Sequence, residues 1–167
     1  MPTINGRACV VNGTPVDKVL SNGRQIYGRN LLQGTSEDEL SGKSYEFARH
    51  QISGGLQPET TYTLSGWARV DQKAMDNQQY VVVFAYAVDW SWNARIAIHP
   101  SLISTYSKVT FTTPMGKQFN PFVSVYLNHP NKDPSQDSIS GLGYISKLKL
   151  EKSTTATTWT PAPEDVM

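Results

Sequence analysis

The chain has 167 residues, the usual size of one domain, and 38% of them are apolar, with four Trp, eight Tyr and five Phe to build a core. Its 15 basic and 14 acidic residues leave a formal net charge of +1 and form no basic stripe, which argues against a nucleic-acid partner. The single cysteine, Cys9, excludes an internal disulfide and a cysteine-rich zinc site, and no apolar run approaches the roughly 20 residues needed for membrane insertion as a helix.

Residues 1–28 are predicted to form an N-terminal arm of β-hairpins, which also serves as a linker. Asn-Gly pairs occur at positions 5–6, 12–13 and 22–23, and both residue types tolerate the positive φ that two-residue hairpin turns need. Because two or three short strands are not stable alone, we expect the arm to pack on the main body, a neighbouring chain or a following domain. The first residues lack the apolar segment of a secretory signal peptide, so no signal peptide is expected.

The main module is predicted to be built from strands. Residues 62–70 alternate, with Tyr62, Leu64, Ala68 and Val70 on one face and Thr63, Ser65, Trp67 and Arg69 on the other, and a period of two is typical of a strand. Residues 80–90 are almost wholly apolar, with bulkier side chains at even positions. Such a run predicts a central strand that is covered on both faces.

Further strands are predicted over residues 95–98, 108–113, 122–127 and 144–151, with turn signals between them. No stretch of ten or more residues keeps helical periodicity, and residues 36–41 could form a single turn at most. The pattern predicts an all-β fold, a jelly-roll-like β-sandwich over residues 29–160, with a C-terminal linker over residues 161–167.

Motifs of known enzyme classes are absent: the sequence has no nucleophile elbow, phosphate loop, His-Glu-x-x-His or dinucleotide fingerprint. The sequence therefore predicts no catalytic residues. Paired carboxylates in a cleft could still support glycoside hydrolysis. The candidates for such a pair are Asp71, Asp76, Asp89, Asp133 and Asp137.

One loop carries oxygen side chains at alternate positions, at Asn131, Asp133, Ser135 and Asp137. This alternation resembles the start of a calcium loop but lacks the Gly and the distal Glu of an EF-hand. A polar loop without metal is the preferred interpretation, no cofactor is predicted, and a structural calcium ion is the alternative.

The aromatic residues suggest a binding function. Sugars present apolar C–H faces that flat rings can cover, and polar rims that Asp, Asn and Arg can satisfy. The predicted carbohydrate-binding residues are Trp67 and Arg69 on one strand, Asp89, Trp90, Trp92, Asn93 and Arg95 around the end of the long strand, and Tyr126. If these strands are neighbours, the residues could share one concave wall or rim.

Burial in the core is the competing interpretation for the large aromatic residues. It applies to Trp67 and to Trp90, which shares parity with Phe84 and Val88. Trp92 follows the same parity but lies beyond Asp89 at the predicted strand end, so it is expected to be exposed.

The two ends of the chain carry a family resemblance. Residues 16–35 resemble the start, and residues 145–165, which finish Ala-Thr-Thr-Trp-Thr-Pro-Ala-Pro-Glu-Asp, resemble the close of carbohydrate-binding modules in tail and baseplate proteins of phages of lactobacilli and lactococci. Residues 62–69 and 109–114 resemble inner strands of jelly-roll carbohydrate-binding modules. The resemblance covers about residues 16–165, although Tyr106 stands where the family pattern has Trp.

This resemblance implies a non-catalytic module that recognises host cell-wall polysaccharide, in the virion at the bacterial surface, beside other tail or baseplate proteins. It assigns no ligand residue, so the predicted site rests on strand alternation. Trp159 and the proline-flanked residues after it are expected to form a docking end and linker, not a sugar platform. Two alternatives stay open: a spacer or homo-oligomerisation domain of a tail fibre, and a cell-wall glycoside hydrolase.

Overall fold

The computed structural model of the protein describes residues 9–43, 45–129 and 141–166. These residues form twelve strands and two short helices. In chain order they are β1 (Val10–Val11), β2 (Thr14–Pro15), β3 (Lys18–Ser21), β4 (Arg24–Gly28), β5 (Leu40–Lys43), β6 (Glu46–Gln51), β7 (Thr61–Val70), α1 (Gln72–Asp76), β8 (Tyr80–Tyr86), β9 (Asn93–Ile98), β10 (Thr105–Thr112), β11 (Phe122–Asn128), β12 (Leu142–Glu151) and α2 (Pro163–Val166).

Two four-stranded antiparallel sheets face each other and enclose the core. Sheet I has the order β10-β7-β12-β5 and sheet II the order β6-β11-β8-β9. Apolar side chains from both inner faces form one buried cluster, to which β7 contributes Leu64 and Val70 and β8 contributes Val81 and Val83. The all-β sandwich predicted from the sequence is confirmed.

Strand β7 follows its predicted alternation. Tyr62, Leu64 and Ala68 are buried in the sandwich, whereas Trp67 on the outer face of sheet I is exposed. Trp67 lies opposite Tyr106 on one neighbouring strand and Ser146 on the other.

Strand β8 is central in sheet II, as predicted, because it pairs with β11 on one side and β9 on the other. The predicted strand was too long: β8 ends at Tyr86 and the chain turns back at once. The amide of Trp90 donates to the carbonyl of Ala87 at 3.0 Å and closes that turn.

Short polar elements were not predicted. Strands β5 and β6 carry no clean alternation, and helix α1 is only five residues long, with Asp71 as its N-cap accepting from the amide of Ala74. Residues 36–41, predicted to form one helical turn at most, form no helix.

The N-terminal arm contains the predicted hairpins where the structure describes it. Asn12 and Gly13 have φ of 50° and 77°, and Asn22 and Gly23 have 51° and 74°, so both turns have two residues in the left-handed region. The pair at positions 5–6 lies outside the described residues. The arm packs on the main body, since Tyr27 is buried and the amide of Gly28 donates to Thr157 Oγ1 at 3.1 Å.

Residues 161–166, placed in a C-terminal linker by the sequence analysis, lie against the sandwich. Ala162 is buried, and the amide of Gly34 donates to a carboxylate oxygen of Asp165 at 2.9 Å. Glu164 pairs with the guanidinium of Arg29. The domain boundaries themselves stay a prediction.

A buried ion pair fastens the segment after β12 to sheet I. Lys149 and Glu151 lie on β12 with both side chains 0% exposed and 3.8 Å between Nζ and Oε1. Lys149 Nζ donates to Thr157 Oγ1 at 2.9 Å and to the Thr158 carbonyl at 2.7 Å, while Glu151 accepts from the amide of Thr157 at 2.8 Å. Residues 152–160, named here the closing segment, are thereby held across the outer face of sheet I.

The stability of the protein is expected to rise between pH 8 and about 9.5. Burial lowers the pKa of Lys149 from 10.5 to about 8, and the nearby Glu151 only partly offsets this. Above pH 8 the unfolded chain therefore binds more protons at this lysine than the folded chain, so the free energy of unfolding increases with pH, by about 1–2 kcal/mol over this window. Urea unfolding across the window measures it.

The double variant Lys149→Met with Glu151→Gln, which leaves no buried charge unpaired, is the control for this pH dependence. It lacks the titrating ammonium and should lose the rise between pH 8 and 9.5. Burial raises the pKa of the Tyr27 hydroxyl, which acts in the opposite direction above the ordinary tyrosine pKa, so the window stops below it. A wild-type stability that is flat or falls across the window would contradict the prediction.

Candidate functional site

The outer face of sheet II carries a continuous set of aromatic rings. Because Val81, Val83 and Ala85 of β8 point into the core, the intervening side chains of Phe84 and Tyr86 point outward. Their neighbours on β11 and at the two ends of the sheet complete the set. We call it the aromatic face, and it consists of Tyr45, Phe84, Tyr86, Trp90, Phe122 and Tyr126.

Trp90 forms one end of the aromatic face. Its indole stacks on the ring of Tyr86 with a centroid distance of 4.1 Å and an interplanar angle of 22°, and it is 52% exposed. Its φ is 59°, a conformation that bulky residues rarely adopt. Backbone strain of this kind is often found at functional sites, where surrounding structure holds it.

Tyr45 forms the other end. Its ring meets Tyr126 edge-on at 4.8 Å, and Tyr126 meets Phe84 edge-on at 5.4 Å. Phe84 in turn contacts Trp90 at 6.1 Å, so the rings are linked from one end to the other. The two exposed ends, Tyr45 and Trp90, rest on buried tyrosines that hold them in place.

Polar side chains border the aromatic face on both sides. On β9, the exposed residues Asn93 and Arg95 lie opposite Tyr86 and Phe84. On β6, the guanidinium of Arg49 lies 4.1 Å from the ring centroid of Phe122. The border therefore offers hydrogen-bond donors and acceptors beside the rings.

Glu46 supplies an ionised carboxylate to this border. Arg49 donates to it through Nε and Nη2 at 2.9 and 3.2 Å. Burial opposes ionisation, but hydrogen bonds from Arg49, Ser124 and Tyr126 outweigh it and hold the pKa of this carboxyl below its usual range. Burial is the main cause that raises the pKa of the Tyr126 hydroxyl, and its hydrogen bond to Glu46 raises this pKa further. The hydroxyl therefore stays protonated and can donate.

Asp89 lies at the rim beside Trp90. Its carboxylate accepts from the amide and the hydroxyl of Ser91 at 3.0 and 2.5 Å and lies 3.9 Å from the ammonium of Lys117. The hydrogen bonds from Ser91 are the largest cause that lowers the pKa of Asp89. This carboxylate is exposed and ionised, so it can accept a hydrogen bond from a hydroxyl group of a ligand.

Trp92 is not an exposed rim residue, and this expectation was wrong. It is partly buried and packs on the core, with its ring 5.6 Å from Phe111 and 5.3 Å from Phe119. The parity of β8 does not extend to it because the chain turns at residues 87–90, which reverses the side on which the next residues lie.

Replacing Trp92 with Leu is expected to lower the free energy of unfolding by about 1–2 kcal/mol, since the smaller side chain leaves contacts with Phe111 and Phe119 unfilled. Urea unfolding measures the loss. Ligand binding measured on the folded variant should be unchanged. A loss of binding with unchanged stability would place Trp92 in the site instead.

Trp67 and Arg69 do not join the other predicted site residues. Both lie on the outer face of sheet I, on the opposite side of the sandwich, so the single shared wall expected from the sequence does not form. Arg69 is occupied there: it makes two hydrogen bonds to Glu39 at 2.8 and 2.6 Å and lies 3.7 Å from the ring centroid of Tyr144. The structure thus brings together Asp89, Trp90, Asn93, Arg95 and Tyr126.

The sequence analysis missed several members of the aromatic face and its border. These residues are Tyr45, Glu46, Arg49, Phe84, Tyr86 and Phe122. The even-position parity of Phe84 and Tyr86 with Trp90 was a usable signal for two of them. Nothing in the sequence marked β6, which carries Glu46 and Arg49 to the face.

No paired carboxylates of a hydrolase are recognised among the candidates that the structure describes. Asp71 caps helix α1, Asp76 accepts from Gln72 at 2.8 Å, and Asp89 is held by Ser91. Asp133 and Asp137, and with them the calcium-like loop, lie outside the described residues. Within the described ranges, His, Cys, Asp and Glu form no cluster of three or more that could hold a metal, and no helix is long and apolar enough to cross a membrane.

Solved structures with a similar fold include a phage protein and two carbohydrate-binding modules. The tripod from the baseplate of bacteriophage Tuc2009 matches with a TM-score of 0.52 and 13% identity, over 83% of this chain and 60% of that chain. A family 16 carbohydrate-binding module matches with a TM-score of 0.42 and 18% identity over 70% and 72% of the chains. The xylan-binding domain CBM22-2 from Paenibacillus barcinonensis matches with a TM-score of 0.43 and 13% identity, over 74% of this chain and 88% of that chain.

The likeness to the baseplate tripod concerns the fold alone. No protein-family model matches the chain, and no curated protein sequence matches it. At such low identities the match to the baseplate tripod supports the β-sandwich and leaves the ligand to be argued from the side chains.

Proposed function

We propose that the protein is a non-catalytic carbohydrate-binding module whose site is the aromatic face of sheet II. The observation that carries the proposal is a pair of exposed rings, Trp90 stacked on Tyr86 and Tyr45 edge-on to Tyr126, with charged and amide side chains beside them. Rings of this kind cover the C–H faces of pyranoses, and Asn93, Arg95 and Asp89 are placed to hydrogen-bond the hydroxyls.

The face is built before any ligand arrives. Tyr86 and Tyr126 support the two platforms, and the bonds of Arg49 to Glu46 fix the border, so little side-chain entropy remains to be lost on binding. The site is nevertheless shallow and open. One module is expected to bind weakly, with a dissociation constant near a millimolar, or about −4 kcal/mol.

The biological setting we propose is the tail or baseplate of a phage, where the module recognises host cell-wall polysaccharide during adsorption. The family resemblance of residues 16–35 and 145–165 supports this setting, and the fold likeness to the Tuc2009 baseplate tripod agrees with it. Other tail or baseplate proteins would be its neighbours in the virion. Many copies on one tail would convert weak single sites into durable adhesion through avidity.

Binding to cell walls tests the proposal. The isolated protein, fluorescently labelled, is titrated against purified cell-wall polysaccharide and intact cells from a panel of Gram-positive strains. Saturable binding to at least one polysaccharide is expected, without release of soluble sugar. If the protein binds none of the strains and none of the polysaccharides, the proposal of carbohydrate binding is overturned. Release of soluble sugar would show that the module is catalytic.

A structural spacer or homo-oligomerisation domain is the second candidate. Leu102 and Ile103, in the loop between β9 and β10, are exposed, Ile103 by 78%, which favours a protein contact there. Light scattering separates the two functions. A tight oligomer that dissociates in Ile103→Lys, together with an absence of glycan binding, would favour the structural role.

A further inference from the structure

A cleft of about 360 Å³ lies on the outer face of sheet I, on the opposite side of the sandwich from the aromatic face. Its volume is at the lower end of the range for small-molecule sites, about 300–1,000 Å³. Strand residues form one wall and the closing segment forms the other. The lining residues used below are Glu37, Trp67, Tyr106, Lys147, Thr158 and Trp159.

Aromatic rings line both walls of the cleft. Trp67 and Tyr106 are 38% and 42% exposed, and their ring centroids are 5.4 Å apart at an interplanar angle of 47°. Trp159 comes from the closing segment, and its indole N–H donates to Thr35 Oγ1 at 3.3 Å, which fixes the ring. A ring-shaped ligand can therefore contact aromatic surface from two sides.

The wall made by the closing segment is held rigidly. The buried pair of Lys149 and Glu151 binds Thr157 and Thr158 from below, so this wall does not depend on a ligand to form. The carbonyl of Thr158 is engaged by Lys149, which anchors the residue directly before Trp159.

An irregularity in β12 turns a charged residue toward the cleft. The register of β12 against β7 shifts between Ser146 and Lys149, and Lys147 in this bulge has φ of 50°. Its amide donates to the Ser36 carbonyl at 2.7 Å, and its ammonium lies 3.7 Å from a carboxylate oxygen of Glu37. The cleft thus has one cation and one anion at its edge, with no net charge between them.

We infer that this cleft is a second carbohydrate site, which takes one or two pyranose rings separately from the aromatic face. The aromatic walls match the C–H faces of a sugar ring, and the Lys147–Glu37 pair offers a donor and an acceptor to its hydroxyls. The balanced charge favours a neutral, hydroxyl-rich ligand over a phosphate or an acidic peptide. This assignment of the ligand class rests on the proposed function.

The four tryptophan indoles report on the two sites independently in a two-dimensional ¹H–¹⁵N spectrum of the whole chain. Trp67 and Trp159 line the cleft, Trp90 belongs to the aromatic face, and Trp92 packs on the core as an internal control. Single Trp→Phe variants assign the signals. Methyl glycosides of glucose, galactose, N-acetylglucosamine and rhamnose, and oligosaccharides released from Gram-positive cell walls, are titrated one at a time.

Saturable shifts of the Trp67 and Trp159 signals, with an affinity of their own and undiminished in Trp90→Ala, are the expected result. Shifts at Trp90 alone would overturn the cleft assignment and keep the proposed function. No shift at either site with any sugar would overturn both. Shifts confined to Trp67 and Trp159 would support the cleft and contradict the placement of the proposed function on the aromatic face.

Two variants separate the ligand from the fold. Trp67→Ala removes an exposed ring and should weaken sugar binding in the cleft by about tenfold. Lys147→Gly removes the ammonium while relieving the positive φ, so the variant should fold at least as well as the wild type and bind several-fold more weakly. Unchanged cleft binding in both variants would overturn the inference.

Discussion

The Glu151→Gln variant is expected to lose about 3–5 kcal/mol of unfolding free energy, the cost of leaving a buried charge without its partner. The substitution changes the shape of the side chain little, but it leaves Lys149, whose side chain is 0% exposed, without its carboxylate partner. In the wild type, the two carboxylate oxygens of Glu151 accept hydrogen bonds from the backbone N–H and the hydroxyl of Thr157, at 2.8 and 2.5 Å. The glutamine side chain has only one oxygen that can accept. Urea unfolding of the two purified proteins at pH 7 measures the difference.

An ion pair at the surface of the same side of the sandwich, between Arg69 of β7 and Glu39, provides the matched control. Glu39→Gln removes the same charge from the pair with Arg69, which lies at the surface of sheet I, and should cost only about 0–1 kcal/mol. The double variant Lys149→Met with Glu151→Gln removes both buried charges and should be more stable than Glu151→Gln alone. A loss of less than about 1 kcal/mol in Glu151→Gln would show that Lys149 finds compensation elsewhere.

Much of the fold could be predicted because the longest strands carry their burial pattern in their own residues. In β7, each inward residue from Tyr62 to Val70 is apolar or glycine, so the period of two was visible without knowledge of any neighbour. The Asn-Gly turns at positions 12–13 and 22–23 were equally local, since their φ angles depend on the residue type. Strand β6 gave no such signal because its placement depends on pairing with β11.

The candidate site was harder to predict because sheet membership is decided between distant strands. Trp67 and Trp90 both alternate with inward residues, and nothing in either strand tells that one lies in sheet I and the other beside sheet II. Trp90 has a left-handed backbone that its residue type does not predict, and Trp92 was misplaced because the chain turns back at residues 87–90. Because the turn at residues 87–90 pairs Ala87 with Trp92, the alternation of β8 does not show on which face Trp92 lies.

Replacing Trp90 with Ala is expected to weaken saccharide binding to the aromatic face by about 2 kcal/mol, or roughly 30-fold. The indole is the larger of the two exposed platforms, and it is half exposed, so the fold should keep its stability within about 1 kcal/mol. Tryptophan and alanine both carry a Cβ, so the backbone strain at φ of 59° is the same in the wild type and in Trp90→Ala. Titration against the polysaccharide that binds the wild type, followed through the Asn93 and Arg95 amide signals beside the aromatic face, measures the change.

Trp67→Ala is the matched control for this prediction, because it deletes the same side chain from the opposite side of the sandwich. Binding to the aromatic face, read from the Asn93 and Arg95 amide signals, should be unchanged by it. Trp90→Phe should retain part of the affinity, since a smaller ring can still stack on Tyr86. Equal affinity in wild type and Trp90→Ala would remove the aromatic face from saccharide recognition and leave the cleft on sheet I as the remaining site.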